Sequence, residues 1–167
     1  MRHAIRPIQP GGESFCEAIL RSVPEWFGIE EALVQYVTDS GRYPTWIAWE
    51  PVANPGTPAH PGCPLPERPA GFVTLRVHYP QAAEVHCIAV HRDFHRRGLG
   101  RLLMEHAENE ARARGVRFLQ VKTMGPSKPN AQYAQTRLFY LGIGYVELEE
   151  FIGLWNGLPA LQLVKAL

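Results

Sequence analysis

The sequence predicts a mixed α/β fold: one central sheet with parallel and antiparallel strands, flanked by helices, in the order β-α-α-β-β-β-α-β-α-β-β. Three observations carry this reading. Apolar residues recur at a spacing of two in some stretches and of three to four in others, and the two kinds of stretch are interspersed along the chain. Near the middle, a β-branched strand, a basic glycine-containing loop and an amphipathic helix follow one another without a break. The 167 residues are 46% hydrophobic, which suits one filled core, and neither a repeat nor a linker divides them, so residues 1–167 read as a single domain.

Taken in order, residues 2–8 alternate polar and apolar side chains as a short half-buried strand does, and Pro7 suits an edge. Residues 14–23 set Phe15, Ile19, Leu20 and Val23 at helical spacing, and residues 29–37 repeat the pattern with Ala32, Leu33 and Tyr36. Residues 45–50 and 71–78 read as a hairpin with a long connection. That connection, 51–69, holds seven prolines, which supply no ladder donors and exclude a helix. A stiff exposed loop is expected there, either a tolerated insertion or a flap over an acceptor site. Residues 84–90 form the next strand. Beyond the basic loop, Leu99, Leu102, Leu103, His106, Ala107 and Ala111 line one face of a helix that ends at Gly115. A strand at 116–123, a helix at 131–141 and strands at 145–149 and 161–166 complete the order. Strands joined through a helix can pair in parallel, and those joined by a tight turn pair antiparallel.

Composition narrows the function. The 17 Lys and Arg nearly cancel the 16 Asp and Glu, so no field of one sign covers the protein, which argues against nucleic acid as a partner. Cys16, Cys63 and Cys87 are odd in number and lack Cys-x-x-Cys spacing, which fits neither a disulfide framework nor a zinc site and suits a reducing cytoplasm. No apolar run matches a signal peptide or a membrane span, so a soluble cytoplasmic protein without a membrane partner is expected. His91 and His95 lie four apart in a loop with no acidic partner at ligand spacing, so no metal is expected, and Ser127 lacks a nucleophile elbow.

The informative segment is 87–103. Its strand runs into a turn rich in Arg and Gly that opens directly into a helix. The first turn of a helix presents unpaired N–H donors and a partial positive charge, so an anion is stabilised there. Gly98 and Gly100 remove side chains that would keep a bulky phosphate from the backbone, and Arg96, Arg97 and Arg101 add charge-assisted hydrogen bonds. A pyrophosphate fits; the plainer alternative is a structural turn at a basic helix start. The dinucleotide fingerprint needs a third Gly where Leu103 stands, and the Gly-Lys-Ser/Thr of an ATP-type loop is absent.

With strand, loop and helix in this register, His95-x-x-Gly98-x-Gly100 resembles motif A of the GNAT superfamily of N-acetyltransferases, Gln/Arg-x-x-Gly-x-Gly/Ala after a strand that ends in Val. His95 departs from the usual Gln or Arg, though an imidazole can still donate to a phosphate oxygen. Residues 133–145 resemble the family's motif B through Phe139, Tyr140, Gly144 and Tyr145. The two motifs together cover about residues 84–149.

The resemblance implies a GNAT-like fold, acetyl-CoA as cosubstrate without a metal, and direct acetyl transfer to an amine in a ternary complex. It assigns Ile88, Ala89 and Val90 to the pantetheine arm, and His95, Arg96, Arg97, Gly98, Leu99, Gly100 and Arg101 to the pyrophosphate. It makes Tyr140 the general acid for the departing thiolate; otherwise Tyr140 is a core aromatic. An amine with a pKa of about 10 arrives protonated, so a base is required. Counting back six residues from Val90 gives Glu84 as the first choice; His86 is the second, placed on the same strand face by simple alternation. Either could instead be a plain strand residue. Gln120 stands where other members carry a Glu, and Tyr133 where several carry an Asn that contacts CoA. Trp26, Phe27, Tyr36, Tyr43 and Trp46 fall toward the acceptor side, most of them as core. The acceptor, a small-molecule or peptide amine, has no signature, and the resemblance admits a homodimer. A second reading is a catalytically silent acyl-CoA sensor, which needs neither Tyr140 nor Glu84; a third is an interaction domain without CoA.

Overall fold

A computed structural model describes residues 4–52 and 66–167. Its elements are β1 (Ala4–Pro7), α1 (Glu13–Arg21), α2 (Glu30–Arg42), β2 (Thr45–Pro51), β3 (Glu67–Tyr79), β4 (Ala82–Val90), α3 (Leu99–Ala113), β5 (Phe118–Met124), α4 (Ala131–Gly142), β6 (Val146–Trp155) and β7 (Leu158–Ala166), with a single 3-10 turn at Arg92–Phe94. The order is the expected one. The strands form one sheet in the order β1-β2-β3-β4-β5-β7-β6, in which β4 and β5 are parallel and every other pair is antiparallel.

Several boundaries differ from the sequence reading, among them the end of α2, which runs to Arg42 rather than residue 37. Both ends of the proline-rich connection are strand: Pro51 lies opposite Glu67 and Pro69 opposite Trp49. The prolines are tolerated because, among the described residues, β3 meets β4 only from Gly71 onward and β1 reaches β2 only as far as Trp49, so this end of the hairpin is paired on one side there. Residues 53–65, and with them most of the expected flap, lie outside the described residues, as do residues 2 and 3 of the expected first strand. At the other end of the chain, β6 continues to Trp155 and β7 starts at Leu158. Asn156 and Gly157, at φ 46° and 83°, form the two-residue turn that suits strand twist. Gly153 and Pro159 interrupt the apolar pattern between the expected strands at 145–149 and 161–166, yet both positions are strand.

Two apolar layers sandwich the sheet. On one face Cys16, Ile19 and Leu20 of α1 and Leu33 of α2 pack on Ile47, Phe72, Cys87 and Ala89. On the other, α3 lays Leu99, Leu103, Met104, Ala107 and Ala111 against Val73, Leu75, Val85, Leu119, Val121 and Leu163. Leu99, Leu103 and Met104 are almost fully buried, each favouring the folded state by about 1.5–3 kcal/mol over exposure. That burial fixes the helix whose first turn matters below. Farther along α3, the buried Glu108 accepts from Lys165 Nζ at 2.8 and 3.0 Å, and Lys165 also donates to the Ile143 carbonyl at 2.9 Å. This one ammonium ties together α3, the end of α4 and β7.

Two irregularities in β4 shape the site. The register on β3 passes from Thr74 opposite Cys87 to Leu75 opposite Val85, so His86 has no counterpart and forms a bulge. The bulge reverses the alternation: Ala83 and Val85 share the α3 core with Ile88 and Val90, whereas Cys87 and Ala89 turn to the α1–α2 core. The reversal falls after His86: Glu84 and His86, on either side of Val85, both turn away from the α3 core, and His86 meets Asp39 and Tyr36 of α2. Secondly, parallel pairing of β4 with β5 covers only Ala82–Val85 against Phe118–Val121, while β4 runs on to Val90 and β5 to Met124. Past Val85 and Val121 the two strands diverge, each still held by its outer neighbour.

Candidate active site

The divergence of β4 and β5 opens a cleft of about 1210 Å³. His86, Cys87, Ile88, Ala89 and Val90 form its β4 side; Lys122, Thr123 and Met124 form its β5 side, with Gln135, Phe139 and Tyr140 of α4 beside them. An extended ligand laid along 88–90 meets a strand edge that β5 no longer covers.

At one mouth stands the start of α3. Its N-cap, Gly98, has φ 78°, and Arg96 before it has φ 62°, so two left-handed residues precede the helix and curl the backbone into an anion-binding concavity. A Cβ built on Gly98 meets nothing within 4 Å, so the space beside it belongs to the cleft. On Gly100 a Cβ meets Phe139 at 3.5 Å, an ordinary contact. His95, Arg96, Gly98, Leu99, Gly100 and Arg101 line this mouth. Arg97 does not: its guanidinium lies over the Phe94 ring at 5.2 Å and 3.8 Å from Glu50 Oε1. The His95 ring donates to the Val90 carbonyl at 2.8 Å, and so joins the phosphate loop to the end of β4.

The segment between α1 and α2 is fastened across the cleft. Tyr133 donates its hydroxyl to the Trp26 carbonyl at 2.6 Å, and Trp26 Nε1 donates to Thr136 Oγ1 at 3.0 Å. Arg92 holds the Glu25 carboxylate at 2.5 and 2.6 Å and the Ser22 carbonyl at 2.8 Å. Tyr133 is thus engaged with Trp26, and burial raises its pKa.

The candidate catalytic groups separate clearly. Glu84 is outside the lining; one oxygen meets His78 Nε2 at 2.7 Å and the other Lys122 Nζ at 3.0 Å. Burial pushes its pKa up, but the hydrogen bonds from His78 and Lys122 outweigh burial and hold it below the usual carboxylate value. His86 lines the cleft, with Nε2 2.9 Å from Asp39 Oδ2 and its ring edge-on to Tyr36 and Tyr43 at 5.5 and 5.6 Å. Asp39, on α2, is 6% exposed and takes a second hydrogen bond from Gln35 at 3.0 Å. The sequence reading passed over Asp39. The expected helix ends at residue 37, short of Asp39; α2 in fact runs to Arg42, which places Asp39 one turn beyond Tyr36 on the inward face. Tyr140 is 5% exposed, lines the cleft and packs against Phe139 and Tyr145. Burial raises its pKa, so it is a protonated phenol at neutral pH. Of the aromatic residues singled out, Trp26, Phe27 and Tyr36 line the cleft, whereas Trp46 packs under α3 against His106. Among the described residues no group of three or more His, Cys, Asp or Glu could hold a metal ion.

A parallel strand pair that parts beside a helix N-terminus, with a basic left-handed turn at its mouth, makes a cleft shaped for an elongated phosphate-bearing molecule. A family model described as the acetyltransferase (GNAT) family matches residues 22–138, and the chain belongs to that family. It is an N-acetyltransferase with acetyl-CoA as its cosubstrate. Solved structures share the fold. A GNAT-family chain from Desulfovibrio desulfuricans aligns with TM-score 0.75 at 18% identity over 99% of both chains. The ribosomal-protein-S18-alanine N-acetyltransferase of Escherichia coli aligns with TM-score 0.70 at 20% identity over 99% of this chain and 94% of that one. A GNAT acetyltransferase from Elizabethkingia anophelis, solved with acetyl-CoA bound, aligns with TM-score 0.69 at 17% identity over 99% and 98%. No curated protein sequence matches the chain. No described helix is long and apolar enough to cross a membrane.

Proposed function

We propose that acetyl transfer proceeds by direct attack of an amine that enters between α2 and the β6–β7 hairpin, with His86 as the base, Asp39 as its positioning partner and Tyr140 as the acid. The observation that carries this is the His86–Asp39 pair at the cleft wall, next to the uncovered edge of β4. Asp39 fixes the tautomer with a proton on Nε2, which leaves the Nδ1 lone pair for the acceptor. Glu84, engaged at both oxygens and turned from the cleft, is the weaker candidate.

Acetyl-CoA supplies an activated acyl carbon; Arg96, Arg101 and the first turn of α3 hold its pyrophosphate, and residues 88–90 align its arm. The ammonium gives one proton to His86, its nitrogen bonds to the acyl carbon, the C–S bond breaks as the sulfur takes the phenolic proton of Tyr140, and the second proton released from the nitrogen restores the phenol. A backbone N–H of the 88–90 edge steadies the oxyanion. No covalent enzyme intermediate is required. The acceptor is a small-molecule or peptide amine, and the composition supports a cytoplasmic setting.

The test compares His86→Gln, Asp39→Asn and Glu84→Gln by thiol release over a panel of amines. His86→Gln should lower turnover by about 10²- to 10⁴-fold, with partial recovery as pH rises and more amine arrives neutral, while acetyl-CoA affinity is kept. Asp39→Asn should fall in the same direction by less. If Glu84→Gln lost turnover while His86→Gln kept the wild-type rate and pH profile, the base would be Glu84.

A further inference from the structure

We infer that the acceptor is an amine carrying a carboxylate on a neighbouring atom and an apolar body, as in an apolar α-amino acid, and that Lys122 determines this specificity by receiving the carboxylate. The inference rests on the reading of the cleft as the site where an amine meets acetyl-CoA.

Lys122 is the first β5 residue past the last parallel pair, Val85 with Val121, just as His86 is the first on β4. The two side chains therefore stand at corresponding positions on the two diverging strands, starting from a spacing of about 4.8 Å between paired strands. A base for an amine and a cation for an anion, at corresponding positions on neighbouring strands, match two groups borne on one carbon. The ammonium is held in place: Nζ lies 3.0 Å from Glu84 Oε1, and His78 holds the other Glu84 oxygen at 2.7 Å. Glu84 is not part of the lining and Lys122 is, so the lysine and not its countercharge borders the cleft. An ammonium has three donors, and Glu84 takes one of them.

The charge around the cleft agrees. Among the described lining residues the one acidic side chain is Glu31, exposed on the first turn of α2. A polycationic acceptor finds no set of countercharges there. The body of the acceptor meets Phe27, Leu33 and Tyr36 on one side and Leu154, Trp155 and Leu158 on the other, an apolar pair of walls.

The experiment uses the tryptophans of the cleft, Trp26 and Trp155, as reporters. With CoA present, intrinsic fluorescence is titrated with phenylalanine, phenylalaninamide and phenethylamine. Phenylalanine should bind about 10- to 100-fold more tightly than the other two, as a charge-assisted hydrogen bond to a partly buried ammonium requires. Lys122→Met should erase the difference. Because that change leaves the Glu84 carboxylate without its ammonium partner, the double variant Lys122→Met/Glu84→Gln is measured alongside it and should erase the difference too. Equal or tighter binding of the amide or the amine, persistence of the preference in the double variant, or no response to any of the three while CoA still binds would overturn the assignment. Loss of the acetyl-transfer reading looks different: CoA itself would then fail to bind.

Discussion

Gly98→Ala separates what the phosphate turn costs the fold from what it gives the ligand. At φ 78° an L-residue costs about 1–2 kcal/mol, and because the added Cβ meets nothing within 4 Å, no steric term adds to this. Unfolding entropy of about 2.1 cal/mol/K per residue gives about 0.35 kcal/mol/K for 167 residues, so Tm should fall by about 3–6 K. The methyl also projects into the mouth where backbone and pyrophosphate must meet, so acetyl-CoA affinity should drop at least about tenfold. Gly100→Ala is the control. Its Cβ makes an ordinary contact with Phe139, and alanine gains about 1 kcal/mol of helix propensity, so Tm should hold or rise by up to about 3 K. Thermal melts and acetyl-CoA titrations on both variants settle it. The reasoning fails if Gly98→Ala matches the wild type in both measurements, or if Gly100→Ala loses as much Tm as Gly98→Ala.

Glu84→Gln should destabilise by about 1–3 kcal/mol at pH 7. Because the folded pKa lies below the unfolded one, the ionised carboxylate's stabilisation is present above about pH 4.3 and is lost as pH falls through the folded value, so the melts of variant and wild type should converge in acid. Tyr140→Phe should lower turnover by about 10²- to 10⁴-fold, toward the low end because a thiolate leaves readily, with acetyl-CoA affinity retained. Burial keeps the phenol protonated, so that factor should stay constant from pH 6 to 9; a factor that shrinks across this range argues against the acid role. Lys165→Met strands the Glu108 carboxylate and should cost about 2–4 kcal/mol, below the full figure for a buried pair because Lys165 is 24% exposed and Arg112 lies 3.6 Å away. Adding Glu108→Leu should recover most of that loss in thermal melts.

The segment from Ile88 to Leu103 was legible because its signals are local: a strand that ends in Val90, two glycines and a helical stripe lie within a few residues of one another. The pairing of Asp39 with His86 was not, since 47 positions separate them and only the packing of α2 on the sheet brings them together. The bulge left no mark either, because Val85-His86-Cys87-Ile88 reads as an unbroken strand while its alternation reverses inside it. Arg97 shows the limit of charge counting. Three arginines near a phosphate loop look alike in sequence, but one of them is drawn away by the Phe94 ring and Glu50. Asn156-Gly157 was a readable hairpin turn, overlooked beside Gly153 and Pro159.

The short seam between β4 and β5 makes the protein two half-sheets, β1 to β4 and β5 to β7, stitched by the residue pairs from Ala82 with Phe118 to Val85 with Val121. A donor laid along residues 88–90 would add rungs across the gap and so act as a strand that the chain does not encode. Each catalytic cycle would then lengthen and shorten the seam, and the sheet would be most continuous when the donor is seated. Substrate occupancy would become part of the molecule's mechanical integrity, with the amides of 86–90 exchanging hydrogen most slowly when acetyl-CoA is saturating.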